Sequence, residues 1–508
     1  VKPDPASRYQ AILEKCYQVL PALGVCVGVA LRLKNLLENR SFGIDASWTS
    51  LEAVSRSFQE IINHDYIFEV SSRPPTGFLL IQKFLTLLCG NNEMVLRLFP
   101  FLCGVLALLV FYKLAQRHLT PLALTIAVWL FALAEPLVYY SAEAKRYSTT
   151  LLSALIFWYL APLFFARPFS KRKALLLALA GSFIIWLAHV SIFVLAAILI
   201  VLTLTFLVQQ RWKEAVYLLI AETFIGVNFT VILNSSLKGM IDNPEMENLW
   251  QGALWNGNVL SFEALKWVPK VIYDSIVSPC GLGFPILVML LVVMGALAWG
   301  SRSRRDMALF AFPIVLAFAA ALFGKYPFQG RAILFLVPAY YLFLSQGLDF
   351  IAQRFLKIKG VLLVVMLLLV FMKPVQEAVF FLSGNRPDTY SHELLKYFGD
   401  HYLPGDAIFV TVDTKYSFWY YAGSLGYGKR FVKEPCCRKD QRILEGIKIG
   451  LFSIDPIKYV GDSSYKAFVL EKMKKIMFLY QYDVFDEQGN FKGSFIHEDE
   501  RTYSVSAD

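Results

Sequence analysis

"TGFLLIQKFLTLLCG", residues 76–90, decides how the chain is threaded. If this segment crosses a bilayer, every later loop changes side. It is too short for an easy span, which needs about 20 apolar residues, and stretches of roughly 10–14 are more often interfacial or re-entrant. It also carries Lys83 in its middle and ends at Gly90. The charges around it test the choice. If it does not span, one set of loops holds Lys113, Arg117, Arg167, Lys171, Arg172, Lys173, Arg211, Lys213, Arg302, Arg304, Arg305, Arg354, Lys357 and Lys359. The opposite short loops hold only Lys145, Arg146, Lys325 and Arg331. Cytoplasmic loops collect Lys and Arg, so this threading obeys the rule and the alternative violates it. The segment is expected to lie in the interface, with the N-terminus cytoplasmic and the C-terminus extracytoplasmic.

The composition sets the class. Of 508 residues, 56% are hydrophobic, 15% aromatic and 17% charged, with a mean hydropathy of +0.51. A soluble chain carries about 25% charged residues. The apolar residues come in runs at about 16–32, 96–112, 120–138, 149–165, 174–188, 191–208, 215–233, 283–300, 307–323, 332–348 and 360–374. These predict an α-helical polytopic membrane protein of about eleven transmembrane helices. The first run is followed by "RLKNLLENR" rather than a small-residue cleavage site, so it reads as an uncleaved span. The net charge of +10 sits in short clusters between the runs, which is a topology signal and argues against nucleic acid as a partner. The seven cysteines show no CxxC or Cys/His spacing for zinc and no disulfide framework.

This threading leaves three larger polar pieces on the non-cytoplasmic face: 33–95, 234–282 and a tail. The expected organisation is a membrane module over 1–375 and a small extracytoplasmic α/β domain over 376–508. In the tail, "SHELLKYFGDHYL" is amphipathic, "DAIFVTV" is a short apolar run after the turn "LPGD", and a mixed segment with a GN turn follows. The aromatic run "YSFWYYAG" suits a core better than a sugar contact.

The chemistry-bearing residues of that face form a pattern. "SFGIDASWTS" (41–50) places Asp45 just past the first span. "SSRPPTG" puts Arg73 before two prolines, which fix their own φ and bias Arg73 toward an extended conformation. "YYSAEAKRYS" holds Glu143, Lys145, Arg146 and Tyr147; "LAHVS" places His189 at a turn; "GKYPFQGRAILF" adds Lys325 and Arg331. Arg binds phosphate bidentately and Lys supplies a point charge, so the cations suit a phosphate-bearing lipid headgroup. A carboxylate facing them suits a general base for an acceptor hydroxyl, while the cations stabilise charge on a phosphate leaving group. Each residue also has a structural reading: Asp45 as a helix cap, Arg331 as a headgroup anchor, His189 as a satisfied turn histidine.

Four stretches, in order, resemble the glycosyltransferase C (GT-C) superfamily, and most of all its family-39-like members, relatives of protein O-mannosyltransferases and lipid A aminoarabinose transferases. They are "FGIDASWTSLEAV", "RPPTGFLLIQKFLTLLCGNNEMVLRLFPFLCGVLALLVFYKLA", "YYSAEAKRYSTTLL" and "YPFQGRAILFLVPAYYLFLSQGL". The resemblance implies an inverting transferase that takes a sugar from a polyprenyl-phosphate donor. It implies Asp45 as base and Arg73 as a donor-phosphate contact. The pattern of the outer face leaves Lys145, Arg146, Lys325 and Arg331 as further phosphate candidates and His189 and Tyr147 as auxiliary ones. The acidic motif is commonly Asp-Glu, whereas Ala46 stands second here, and Glu143 is the candidate substitute. The need for a divalent metal varies across the superfamily, and no paired-acid site in this sequence demands one. The resemblance covers the membrane part and leaves the tail without a signature.

The expected partners are the lipid-linked donor, membrane lipids and an acceptor that is a glycan, a lipid or a protein. The expected location is a bacterial inner or plasma membrane. Three alternatives stay open. One is an oligosaccharide ligase or polymerase. A second is a lipid-linked sugar transporter or flippase, against which stands the lack of internal repeats. The third is a non-catalytic scaffold, kept open by Ala46.

Overall fold

The computed structural model describes residues 5–64, 66, 73–241, 250, 252–255, 257–354, 359–384, 392, 396, 407–410 and 415–424, and strand segments between 431 and 500. The helices in chain order are α1 (Pro5–Leu37), α2 (Ile44–Ser55), α3 (Phe58–Ile62), α4 (Thr76–Cys89), α5 (Glu93–His118) and α6 (Pro121–Leu133). Then come α7 (Glu135–Tyr139), α8 (Tyr147–Phe165), α9 (Lys171–Leu187), α10 (Ile192–Val208), α11 (Trp212–Ile232) and α12 (Lys238–Ile241). The last are α13 (Phe262–Val277), α14 (Pro285–Arg302), α15 (Arg304–Leu322), α16 (Val337–Arg354), α17 (Lys359–Leu382) and α18 (Lys415–Ser424). Their starts are written locally. The side chains of Thr120, Ser170, Ser261 and Ser303 accept the amide three residues on, satisfying one of the donors a helix start leaves open.

Nine helices among the described residues are long and apolar enough to cross a bilayer, or ten if the bent pair Pro121–Leu133 and Glu135–Ala142 makes one span. The expected eleventh, 174–188, falls in α9, whose 17 residues span about 25 Å and sit at the lower limit of crossing length. The protein is an integral membrane protein. α4 has 14 residues, about 21 Å, and is too short to cross.

The chain divides into two compact units. The larger contains 1–37, 57–81 and 97–383. At its centre is α16, whose run through Gly330–Arg354 is 94% buried, whereas the apolar window of α17 is only 17% buried. A helix hydrophobic all round belongs inside the bundle or against lipid, and these two take the two roles. α14 and α16 meet through paired glycines. A Cβ built on Gly295 would fall on the carbonyl oxygen of Phe343 and 2.7 Å from the Gly347 amide nitrogen. One built on Gly347 would fall on the carbonyl oxygen of Leu291. Small residues let backbones approach this closely where no hydrophobic force drives helices together.

The expected single span 120–138 is broken. It bends by 56° at Ala134, with Pro136 in the first turn of α7. The break frees carbonyls that hydrocarbon cannot solvate. α1 supplies the donors. Arg32, fully buried, gives Nη2 to the carbonyl of Phe131 (3.2 Å) and Nη1 to those of Ala132 (3.4 Å) and Gly28 (2.9 Å). Asn35 gives Nδ2 to the carbonyls of Val138 (2.7 Å) and Tyr139 (3.1 Å). Gly28 lets α1 approach, since a Cβ there would lie 2.7 Å from Leu108 and 2.9 Å from the Ala132 Cβ.

The second unit contains 38–56, 82–96 and 384–508. α2 packs on α18: Ser47 Oγ donates to Ser417 Oγ (3.0 Å), the Phe42 amide donates to the Tyr421 hydroxyl (2.6 Å), and Phe42 meets Tyr420 at 5.1 Å. Phe418, Tyr420 and Tyr421 are buried, so the aromatic run of the tail fills a core. The strands are β1 (Ala407–Val410), β2 (Phe431–Val432), β3 (Ile443–Leu444), β4 (Lys448–Leu451), β5 (Ile476–Phe485) and β6 (Phe491–Glu500). They form a mixed sheet ordered β4-β1-β5-β6, with β1 parallel to β4 and β5, and β5 and β6 antiparallel; β2 and β3 make a separate pair. Much of 376–508, including most of "SHELLKYFGDHYL", lies outside the described residues.

Candidate functional site

The larger unit holds a cavity of about 550 Å³ where the ends of α9, α11 and α15 meet the start of α10. Four cations line it: Arg73, Arg146, Lys238 and Lys325. His189, Asn234 and Tyr326 add polar groups, and no carboxylate is among the described lining residues. The remaining wall is apolar, built from side chains such as Ile192, Phe193, Phe229, Leu233 and Leu237. Cations gathered along one wall create a positive potential that favours a bound anion.

Local structure places each cation. Arg73 precedes Pro74 and Pro75, and its guanidinium lies over the Tyr66 ring at 4.7 Å. Gly239 leaves room for it; a Cβ there would stand 3.1 Å from Nη2. The Tyr66 hydroxyl reaches Ser236 Oγ and His64 Nδ1, both at 3.5 Å, and Ser236 Oγ lies 3.2 Å from the same nitrogen. His64 stacks on Trp186, with centroids 6.3 Å apart. Arg146 is the residue before α8, and its carbonyl accepts the Thr150 hydroxyl at 3.0 Å. Lys325 follows α15 in a turn where its amide and that of Tyr326 donate to the Ala320 carbonyl. Lys238 is delivered by a π-helical turn, Leu233–Leu237, that continues α11. Such turns insert a residue and re-aim those that follow, often at functional sites.

His189 is 4% exposed and its Nε2 has no hydrogen-bond partner among the described residues; Arg146 and His64 lie within electrostatic reach of it. The Tyr326 hydroxyl donates to the Ala332 carbonyl at 2.5 Å. Burial raises its pKa far above the ordinary tyrosine value, against a smaller lowering by Arg146, so it stays a neutral donor.

Of the residues singled out in the sequence, Arg73, Arg146, His189 and Lys325 are brought together. Glu143, Tyr147 and Arg331 gather instead around Tyr140, with Tyr147 edge-on to it at 4.8 Å, and Arg331 lies 5.8 Å from the Trp250 ring centroid. Lys145 is buried, at 2% exposure. Asp45 belongs to the second unit. It stands in the first turn of α2 and is half-buried, and the N-cap is Gly43, so Asp45 is not the cap. Lys238, Asn234, His64 and Tyr66 were not singled out from the sequence. The polar run "LNSSLKG" after the seventh span was the available signal. Among the described residues, no three His, Cys, Asp or Glu are placed to hold a metal ion.

The sequence matches no protein-family model and no curated protein. Solved structures share its fold. The oligosaccharyltransferase of Archaeoglobus fulgidus, crystallised with zinc and sulfate, aligns with a TM-score of 0.50 at 13% identity, over 93% of this chain and 72% of that one. The same enzyme tethered to an acceptor peptide containing the NVT sequon gives 0.50 at 11% identity, over 96% and 74%. ArnT of Cupriavidus metallidurans, bound to undecaprenyl phosphate, gives 0.47 at 13% identity, over 94% and 97%. The chain is therefore a membrane protein of the GT-C fold.

Proposed function

We propose that this protein is a membrane glycosyltransferase that takes a sugar from a polyprenyl-phosphate-linked donor at the extracytoplasmic face and transfers it, with inversion, to an acceptor hydroxyl. The observation that carries this reading is the cavity with four cations and an apolar wall. That combination suits a ligand with a phosphate head and a hydrocarbon tail. Among the structural counterparts, ArnT is described in complex with undecaprenyl phosphate.

In the proposed reaction the acceptor oxygen attacks the anomeric carbon from the face opposite the phosphate. The bond from that carbon to the phosphate oxygen breaks, and the electron pair leaves with the polyprenyl phosphate. Arg73, Arg146, Lys238 and Lys325 hold the phosphate and stabilise the charge it gains. Asp45 is the proposed base that takes the hydroxyl proton, supported by its sequence context and its half-exposed place at the start of α2. Glu143 is the second candidate acid. His189, a buried imidazole with a free Nε2, is proposed as a neutral hydrogen-bonding partner of the phosphate. Lys145 and Arg331 are further candidate contacts of the donor phosphate, and Tyr147 is an auxiliary candidate; Arg331 and Tyr147 lie around Tyr140. Residues 1–375 are proposed as the catalytic module, with the N-terminus cytoplasmic, and 376–508 as an extracytoplasmic domain that helps choose the acceptor.

The test is a labelled polyprenyl-phosphate sugar given to purified protein in lipid nanodiscs with candidate acceptors. Release of polyprenyl phosphate that Asp45→Asn abolishes, with donor binding retained, is the expected result. Movement of the donor across a membrane without release of the sugar would instead indicate a flippase and overturn the proposal.

A further inference from the structure

A second cavity, of about 900 Å³, lies at the other ends of α9 and α11. The two helices run side by side from Lys171 and Trp212 toward His189 and Leu233. The length of α9 puts this cavity about 25 Å from the first along the helix axis, at the opposite membrane surface. Its walls carry Lys171, Arg172, Arg211 and Lys213, with Glu214 as the acid. Glu214 is already engaged, accepting Arg211 Nε and the Phe169 amide (2.8 Å). Arg172 and Lys213 are exposed on the first turns of α9 and α11, where open backbone amides add partial positive charge.

A topogenic charge cluster needs no built site, and this one has one. The Arg211 side chain is 8% exposed, packed on the Phe206 ring at 4.2 Å. Nη1 reaches Gln209 at 3.4 Å, but Nη2 is buried without a partner. A guanidinium held this way has hydrogen-bonding capacity left for a ligand oxygen. Directly along the helices from the cations, Leu175, Leu179, Val216 and Leu219 are each more than half exposed or close to it, at 60%, 53%, 54% and 60%. The feature is therefore amphipathic over about two helical turns: cations at the mouth, then an uncovered aliphatic surface. A soluble anion uses only the first half; a phospholipid uses both.

We propose that this cavity is a binding site for an anionic phospholipid of the cytoplasmic leaflet, with its phosphodiester held by Lys171, Arg172, Arg211 and Lys213 and its acyl chains along α9 and α11. The site is separate from the proposed catalytic cavity and stands whether or not the transferase reading does.

The test uses the full chain in detergent, incubated with equal amounts of phosphatidylglycerol and phosphatidylcholine and analysed by native mass spectrometry. The wild type is expected to retain phosphatidylglycerol preferentially. The double variant Arg172→Gln/Lys213→Gln alters two exposed residues and is expected to keep its fold. It should lose that preference by roughly fivefold per charge, about 25-fold together. Equal retention of the two lipids by the wild type, or an unchanged preference in the double variant, overturns the proposal. Displacement of the lipid by millimolar glycerol phosphate alone would show a soluble-anion site and also overturn it.

Discussion

Replacing Gly295 by Ala should separate α14 from α16. The added methyl would fall on the Phe343 carbonyl oxygen and stand 2.7 Å from the Gly347 amide nitrogen. Ordinary contacts for such a carbon begin near 3.4 Å, so the second atom alone demands a shift of about 0.7 Å, and the first demands more. Neither obstacle is a flexible side-chain tip; both are backbone of a helix buried on all sides. Overpacking a rigid core costs about 1–3 kcal/mol, occasionally more, and this geometry belongs at the upper end. Gly226 supplies the control. It lies inside α11, and a Cβ there meets nothing within 4 Å. Gly226→Ala should be neutral or stabilising by up to about 1 kcal/mol from helix propensity. Reversible SDS unfolding in mixed micelles, followed by tryptophan fluorescence, measures both. Gly347→Ala should cost about as much as Gly295→Ala. The double variant should cost less than the sum, because one separation accommodates both methyls. A Gly295→Ala protein as stable as wild type, or strict additivity of the pair, would refute the account of this interface.

Arg32→Met keeps the side-chain volume but removes the donors to Phe131 and Ala132, so unfolding measurements should show a loss of about 2–4 kcal/mol. Arg73→Lys keeps the charge but not the fork; donor KM should rise about tenfold or more with kcat less affected, and an unchanged KM would remove Arg73 from the phosphate site. Cys89 is exposed at the end of α4. A variant keeping only that cysteine should react with a membrane-impermeant maleimide on intact cells, and protection there combined with labelling in inverted vesicles would reverse the proposed orientation.

The sequence revealed what depends on composition and local charge. Lys83, the short run and Gly90, together with the Lys/Arg distribution over the later loops, stopped α4 from being read as a span, and the structure ends it after 14 residues. It did not reveal what depends on partners distant along the chain. The break at Ala134 had a visible signal in Pro136, but a proline in an apolar run more often kinks a helix than divides it, and the donors that stabilise the break come from α1. Arg73, Arg146, His189 and Lys325 were found because each flanks an apolar run. Lys238 was missed because a π-helical turn carries the helix four residues past its expected end at 233. The helix α13 lay unmarked in the middle loop, though Ser261 and the amphipathic "FEALKWVPKVIY" were there to be read.

The clamp between Arg32 and the carbonyls of Phe131 and Ala132 joins residues about 100 positions apart. During synthesis the first segment leaves the ribosome before these two acceptors exist, and at about 5–20 residues per second that interval lasts roughly 5–20 s. In that time Arg32, five residues from the helix end, has only the Gly28 carbonyl of its own helix, and its remaining donors are satisfied by reaching toward lipid headgroups. The first segment must therefore wait at a shallower depth and sink into its final place when the sixth and seventh helices arrive, which makes its burial a late event in biogenesis despite its early translation.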